Sequence, residues 1–258
     1  MKLRVLGCSG GIGGTGAFAR TTSLLLDDDV LIDAGTGLED LTVVELERID
    51  HVFLTHSHLD HISGLPLMVD SIGARRATPI QVHALPETIE ALRAHVFNWV
   101  IWPDFTQIPH HDRPWMQFVP MRLGESRLLG ERRIESIPAN HKVHAVGYAV
   151  HGPSGALAFS GDNWPTEAFW RVVNGIDGLR HLIIETAFPN RERDLAITAK
   201  HLHPIELAEQ LRYLSVDPEI RAAIEAGRQR MAQRYAISPE RVIEEYARIA
   251  FADIAHCL

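Results

Sequence analysis

Apolar residues in this chain fall mostly into short runs closed off by Gly, Pro, Asp or Asn. Such runs are too short for helices and read as strands buried on at least one face. "KLRVLG" is the first. "TSLLLDDDVLIDAG" predicts a strand from Ser23 to Leu26, an acidic turn at Asp27 to Asp29, and a strand from Val30 to Asp33. "HVFLTHSH" is a strand running into a polar loop, and "IQVHALP" is another strand. Further along, "MQFVPM", "RRIESIPA", "AVGYAVHG" and "GALAFSGDN" follow at short spacing, with "HLIIETAF" later. Helical spacing of apolar positions occurs in "LTVVELERI", "HISGLPLMVDSIGAR", "PETIEALRAHVFNWVI", "PTEAFWRVVNGI" and "PIELAEQLRYL".

Strands dominate up to Asn190, and helices flank them. One good solution for that pattern is an α/β (α+β) fold: a four-layer αββα sandwich of two mostly antiparallel or mixed sheets with helices outside. From Asp217 onward the strand pattern stops. Two helices are expected there, with Asp217 and Ser238 as N-caps, each followed by proline. The division falls near Ser215, giving one domain over 1–215 and a C-terminal helical hairpin over 216–258.

Composition narrows the class. Hydrophobic residues make up 46% and charged residues 22%, ordinary values for a soluble globular chain. No apolar run is long enough to cross a bilayer. The start, "MKLRVLGCSGG", has no secretory core, so a cytoplasmic protein without a membrane partner is expected. Cys8 and Cys257 sit at opposite ends, which argues against a disulfide framework, and no CxxC zinc pattern exists. A formal net charge of −8 argues against a large nucleic-acid footprint. The anomaly is 15 histidines.

"GIGGTG", Gly11 to Gly16, spells a dinucleotide-binding pattern, and Asp33 lies where a ribose-binding acid would. The context fails, because that motif must open a helix, and here a hairpin follows. The loop reads instead as a turn or as the border of an active site.

His56, His58, Asp60 and His61 form H-x-H-x-D-H at the end of an apolar strand. Two histidines at i and i+2 can aim at one metal, and an Asp-His pair directly after them at a second. Zinc accepts such nitrogen and oxygen ligands. Two ions a few ångströms apart can clamp both sides of a displaced phosphoryl group. His141 in "PANHKVHAVGY" and Asp162 in "FSGDN" stand at later strand ends, where Asp162 can bridge both ions. Asp33 in "LIDAGTG" is placed to brace the histidine loop by hydrogen bonds rather than to bind metal. "AKHLHP" adds His201 and His203 before a helix.

With "LIDAGTG", "THSHLDH", "NHKVHAVGY" and "FSGDN" in this order, the chain resembles the metallo-β-lactamase fold superfamily of hydrolases. "HSHLDHISGLPLMVDS" resembles more narrowly the class II 3′,5′-cyclic-nucleotide phosphodiesterases. "IIETAF" with "KHLHPIELAEQL" is similar to that subgroup and to tRNA 3′-processing ribonucleases. The resemblance covers roughly residues 1–214. It implies that His56, His58 and His141 hold one divalent ion, Asp60 and His61 the other, and that Asp162 bridges. The ions are expected to be zinc, with manganese and iron as alternatives. Asp60 and His201 are the candidate catalytic groups, His201 as proton donor or phosphate contact near the leaving oxygen. His203 falls where the family has a small or hydroxylic residue.

The family pattern also calls for a further strand and a ligand histidine about twenty residues past His201. No histidine stands between His203 and His256, so the second ion is expected to be one ligand short and weakly held, completed by water or by His201. The stretch "ISPERVIEEYARIAFADI" resembles phage terminase small subunits, and the tail is a candidate surface for homo-oligomer contacts. The implied activity is hydrolysis of a cyclic nucleotide or similar small phosphodiester. The alternatives are a tRNA 3′-processing endonuclease, and an impaired hydrolase domain carrying a helical interaction tail. Trp99, Trp102 and Phe105 are candidates for a base-stacking wall or for core packing. His51, His83, His95, His144, His151 and His181 read as isolated, and His110 and His111 as surface residues.

Overall fold

A computed structural model describes residues 1–214 apart from Thr15. The expected helical hairpin, its caps at Asp217 and Ser238, the terminase-like stretch and His256 lie outside the described residues, as does the division near Ser215.

The first sheet is built from β1 (Leu3–Gly7), β2 (Ser23–Leu26), β3 (Val30–Ile32), β4 (His51–Phe53) and β5 (Ile80–Ala84). After a two-residue ribbon of β6 (Pro109–His110) and β7 (Arg113–Pro114), β8 (Met116–Pro120) completes it. Its order is β1-β2-β3-β4-β5-β8. The β1–β2 and β2–β3 pairs are antiparallel, and the pairs from β3 to β8 are parallel. The second sheet contains β9 (Ser126–Leu129), β10 (Arg132–Pro138), β11 (Val146–Gly152), β12 (Gly155–Phe159) and β13 (Leu179–Ile183). It is antiparallel except where β13 runs parallel to β12.

Three cores define the four layers. Between the sheets, Leu24, Leu26, Val30, Ile32 and Phe53 meet Ile134, Tyr148, Val150, Leu157 and Phe159. Outside the first sheet lie α1 (Val43–Leu46), α2 (Leu59–Ile62), α3 (Gly64–Ile72) and α4 (Pro86–His95). There Leu31, Val52 and Val82 pack with Leu65, Val69 and Leu92. Outside the second sheet, α5 (Glu167–Asn174) presses Phe169, Trp170 and Val173 onto Ile137, Ala149 and Ala158. Burying each such side chain contributes roughly 1.5–3 kcal/mol. The alternation within β2 and β3 sends Leu25 and Leu31 outward and Leu24, Leu26, Val30 and Ile32 inward, so both faces are apolar, as the unbroken runs predict.

Two helices differ from the sequence expectation. The helical pattern "PETIEALRAHVFNWVI" stops at His95. Asn98 ends it: its side chain accepts the N–H groups of Val100 and Ile101, and Trp99 takes φ +65°. Such side-chain bonds compete with the helical ladder. α6 (Arg193–Ala199) was not expected, because its sequence, "RDLAITA", has weak periodicity; α7 (Pro204–Gln210) follows it. Among the described residues no helix is long and apolar enough to cross a membrane.

His51 and His83 are not isolated. Their rings meet across β4 and β5, Nδ1 to Nε2 at 3.0 Å, and His83 stacks on Phe53. Burial first, then the neighbouring His51 and Arg127, push His83 down to about 3. An unfolded histidine titrates near 6.5. Between those values the unfolded chain binds a proton that the folded one does not, so stability falls as pH drops from about 6.5 toward 3. Denaturant titrations of metal-free protein across that range will show a shallower slope for His83→Phe than for the parent; equal slopes refute the assignment.

Candidate metal centre

The C-terminal ends of β3, β4, β10 and β12 converge on one edge of the sandwich. Asp33 directly follows β3, His56 and His58 lie in the loop after β4, and α2 carries Asp60 and His61. His141 stands between β10 and β11, and Asp162 follows β12.

Asp33 organises the histidine loop. It is fully buried and takes φ +58°, a left-handed conformation that Asp tolerates better than most residues. Its carboxylate accepts the Thr55 N–H at 2.8 Å and the Thr55 hydroxyl at 2.9 Å. His61 Nδ1 donates to the same carboxylate at 2.8 Å, which turns His61 Nε2 inward. His56 Nδ1 lies 3.0 Å from the Thr55 hydroxyl. Its Nε2 is buried and has no hydrogen-bond partner. A buried polar atom without a partner is costly, and a cation satisfies it.

One ligand atom each from His56, His58, His141 and Asp162 lie within 4.8 Å of one another, and the same holds for Asp60, His61 and Asp162. His58 Nδ1 and His141 Nε2 are 3.2 Å apart, close to the roughly 3.3 Å that two imidazole nitrogens take on one tetrahedral zinc. Asp162 divides its oxygens. Oδ2 faces His56 Nε2 at 3.6 Å and His141 Nε2 at 3.7 Å, while Oδ1 faces His61 Nε2 at 3.3 Å. A carboxylate so placed could serve both clusters, and the donor set fits divalent metal ions.

Electrostatics suits His56, His58 and His141 as donors, whereas His61 must give up a proton before its Nε2 can bind an ion. Burial holds His56 and His58 below the ordinary imidazole value and brings His141 down to about 4. All three are therefore neutral near pH 7, with free lone pairs. Burial opposes ionisation of Asp162, but the His61 hydrogen bond and the surrounding imidazoles outweigh it and lower its pKa. His61 is held well above its ordinary value: burial works against the charge, and Asp33 and Asp162 overcome it.

The structure also brings together residues the sequence did not single out. Glu185 follows β13, and its Oε1 lies 3.0 Å from His201 Nδ1. Asp162, Glu185 and His201 form a third cluster, with His201 Nε2 3.8 Å from Asp162 Oδ2. Burial disfavours the His201 cation, yet the Glu185 hydrogen bond and charge raise its pKa. His201 thus groups with Glu185, on the Oδ2 side of Asp162, and not with Asp60 and His61. Glu185 stands in "IIETAF", two residues past the end of β13, and nothing local in the sequence sets it apart.

His203 has a structural task. It N-caps α7, its side chain accepting the Glu206 N–H, as a hydroxylic residue would. Phe105 is buried in the outer core, and its carbonyl accepts the Met116 N–H at the opening of β8. That is the sheet edge opposite the centre, which removes Phe105 from any base-stacking wall. Trp102 packs against the same core. Gly10, the residue before the Gly11–Gly16 stretch, borders the centre, while nothing lies within 4 Å of a Cβ on Gly11 or Gly13. A Cβ on Gly10 would sit 3.7 Å from Asp60 Oδ2. β1 and β2 on either side of the loop pair antiparallel, with no α-helix between them, which excludes the dinucleotide fold.

Comparison with known proteins bears on the family and the fold. A probable 3′,5′-cyclic-nucleotide phosphodiesterase of Yersinia pestis is 29% identical over 65% of this chain and 52% of its own length. A ribonuclease Z of Bradyrhizobium sp. (strain ORS 278) is 33% identical over 44% of this chain and 36% of its own length. The chain thus spans about half the length, or less, of these curated relatives. The crystal structure of unliganded yeast PDE1 matches with a TM-score of 0.66 at 19% identity, over 82% of this chain and 81% of that one. At that identity the match speaks for the fold. The model of the beta-lactamase superfamily domain matches residues 28–221, and the chain belongs to that superfamily, with a metallo-β-lactamase fold.

Proposed function

We propose that this protein is a metal-dependent phosphodiesterase hydrolysing a 3′,5′-cyclic nucleotide or a similar small phosphodiester. The observation that carries the reading is the pair of ligand clusters sharing Asp162, with His201 and Glu185 beside the shared carboxylate. His56, His58, His141 and Asp162 would hold one divalent ion, and Asp60, His61 and Asp162 a second. Three imidazoles and a carboxylate favour zinc. Bound at these clusters, such ions neutralise phosphoryl oxygens and lower the pKa of water. Asp33 fixes the ring of His61 through Nδ1, and Thr55 fixes that of His56. His201, whose protonated form the Glu185 hydrogen bond favours, would offer its Nε2 proton to the departing sugar oxygen. Asp60, a quarter exposed, stands at the solvent side where a substrate enters. The ribonuclease Z relatives favour a second reading, a tRNA 3′-end endonuclease using the same residues.

Zinc- or manganese-loaded protein should hydrolyse cyclic AMP and bis-p-nitrophenyl phosphate. Cleavage of a tRNA precursor with a 3′ trailer, without turnover of cyclic AMP, would replace this reading with the second. No turnover of any of the three would sink both and favour the impaired domain.

The two positions differ in donor count. The second has three protein donors against four, so we expect about one tightly held zinc per chain after dialysis, the other needing excess metal. Elemental analysis that finds two retained ions would reject the inequality. His201→Gln should slow cyclic AMP turnover about 10²–10⁴-fold. Its effect on bis-p-nitrophenyl phosphate should be much smaller, because nitrophenolate leaves without a proton. Equal losses on both substrates would argue against proton donation.

A further inference from the structure

Lys200 closes α6 with φ +59° and ψ +50°, the left-handed position that ends many helices and ordinarily falls to glycine. The strain needs an offset, and three contacts converge there. The Lys200 carbonyl accepts the His141 Nδ1–H at 3.3 Å. Its Nζ donates to the Asn140 side-chain oxygen at 2.9 Å and to the His141 carbonyl at 3.2 Å.

The contacts continue into a ring. The Asn140 N–H donates to Asn163 Oδ1 at 2.8 Å, and the Asn163 N–H donates to Glu185 Oε1 at 2.9 Å. That same oxygen pairs with His201 Nδ1, and His201 is the covalent neighbour of Lys200. The ring therefore spans the loops after β10, β12, β13 and α6. Each of those loops carries one of His141, Asp162, Glu185 and His201. Lys200 is the member that closes it, and it carries neither a ligand atom of the centre nor a group aimed at substrate.

We propose that Lys200 is a positioning residue that couples the metal-binding His141 to the proton-donating His201. Its carbonyl sets the tautomer and ring plane of His141, leaving Nε2 for the ion. Its ammonium ties the His141 loop to the segment that begins with His201, so ligand and proton donor keep one spacing. The left-handed turn is what lets one residue make both contacts. This inference rests on the reading of the centre as a metal site.

Two variants separate the contributions. Lys200→Gly keeps the turn and the carbonyl but removes the ammonium. Lys200→Val removes the ammonium and, being β-branched, also resists the left-handed turn. Zinc affinity, measured by competition with a chromophoric chelator, should fall a few-fold in the glycine variant. It should fall about 10–100-fold in the valine variant, the range for lost partners of a ligand histidine. In the glycine variant the melting temperature of metal-free protein should hold while kcat falls more than KM changes. Parent-like zinc affinity in both variants overturns the proposal, as does a fall accompanied by equal loss of metal-free stability in both. A parent protein that binds no zinc rejects the metal reading itself, and this proposal with it.

Discussion

The buried carboxylate of Asp33 is the constraint on which the rest of this molecule's chemistry depends. A carboxylate with no exposure to water is among the costliest groups to fold into a protein. It is tolerable only if its oxygens are met by donors, and here Thr55 supplies two and His61 a third. Those donors are the residues that flank and complete the histidine loop. Solvation of Asp33 and the shape of the centre are therefore one requirement. Taking away one partner of such a buried pair typically costs roughly 3–5 kcal/mol, so the loop cannot relax away from Asp33 cheaply. Tyr148 adds a tie from the second sheet, its hydroxyl donating to the Leu54 carbonyl at 2.8 Å.

Close backbone contact makes that knot geometrically feasible. A Cβ on Gly35 would lie 2.3 Å from the Asp60 carbonyl and 2.3 Å from the Thr21 hydroxyl oxygen. The segment after β3 therefore touches the backbone of α2 directly, and the Ala34 N–H bonds the His61 carbonyl at 2.7 Å. With no side chain as spacer, the short α2 is pinned at both its ring and its backbone. A common pattern then runs through His56, His61 and His141. Each places Nδ1 on a protein group and turns Nε2 toward Asp162. His58 does the reverse, offering Nδ1. Rings fixed in this way need little reorganisation to receive a cation, which is how a hydrogen-bonded frame tunes a metal site.

Much of this was legible in the sequence. Short apolar runs predicted the strands, because strands buried on both faces have no alternation to lose. The density of H-x-H-x-D-H announced the centre, since all its residues are local. His141 and Asp162 were legible as polar residues at strand ends. What escaped was chemistry made by distance. Glu185 pairs with His201 across 16 residues, and a lone glutamate after a strand has no local signature. His51 and His83 looked isolated because cross-strand pairing is invisible along the chain. The end of α4 was missed for another reason. Asn98 competes with the helix through its own side chain, and that outcome depends on geometry rather than on apolar spacing.

The same geometry gives the two proposed metal positions different characters. The first is walled by buried His56 and His141, and its donors already number four. Further ligands would have to displace protein. The second draws on Asp60, whose side chain is 26% exposed, and on two buried partners. Beside it, Gly10 approaches Asp60 without a side chain in the way. On the proposed reading, an anionic diester would meet the position with fewer protein donors first and could supply an oxygen there. Weak occupancy without substrate and binding of a phosphodiester would then both follow from the smaller donor set of the second position. Shared Asp162 links them, because charge placed on Oδ1 is felt at Oδ2, where His201 and Glu185 stand.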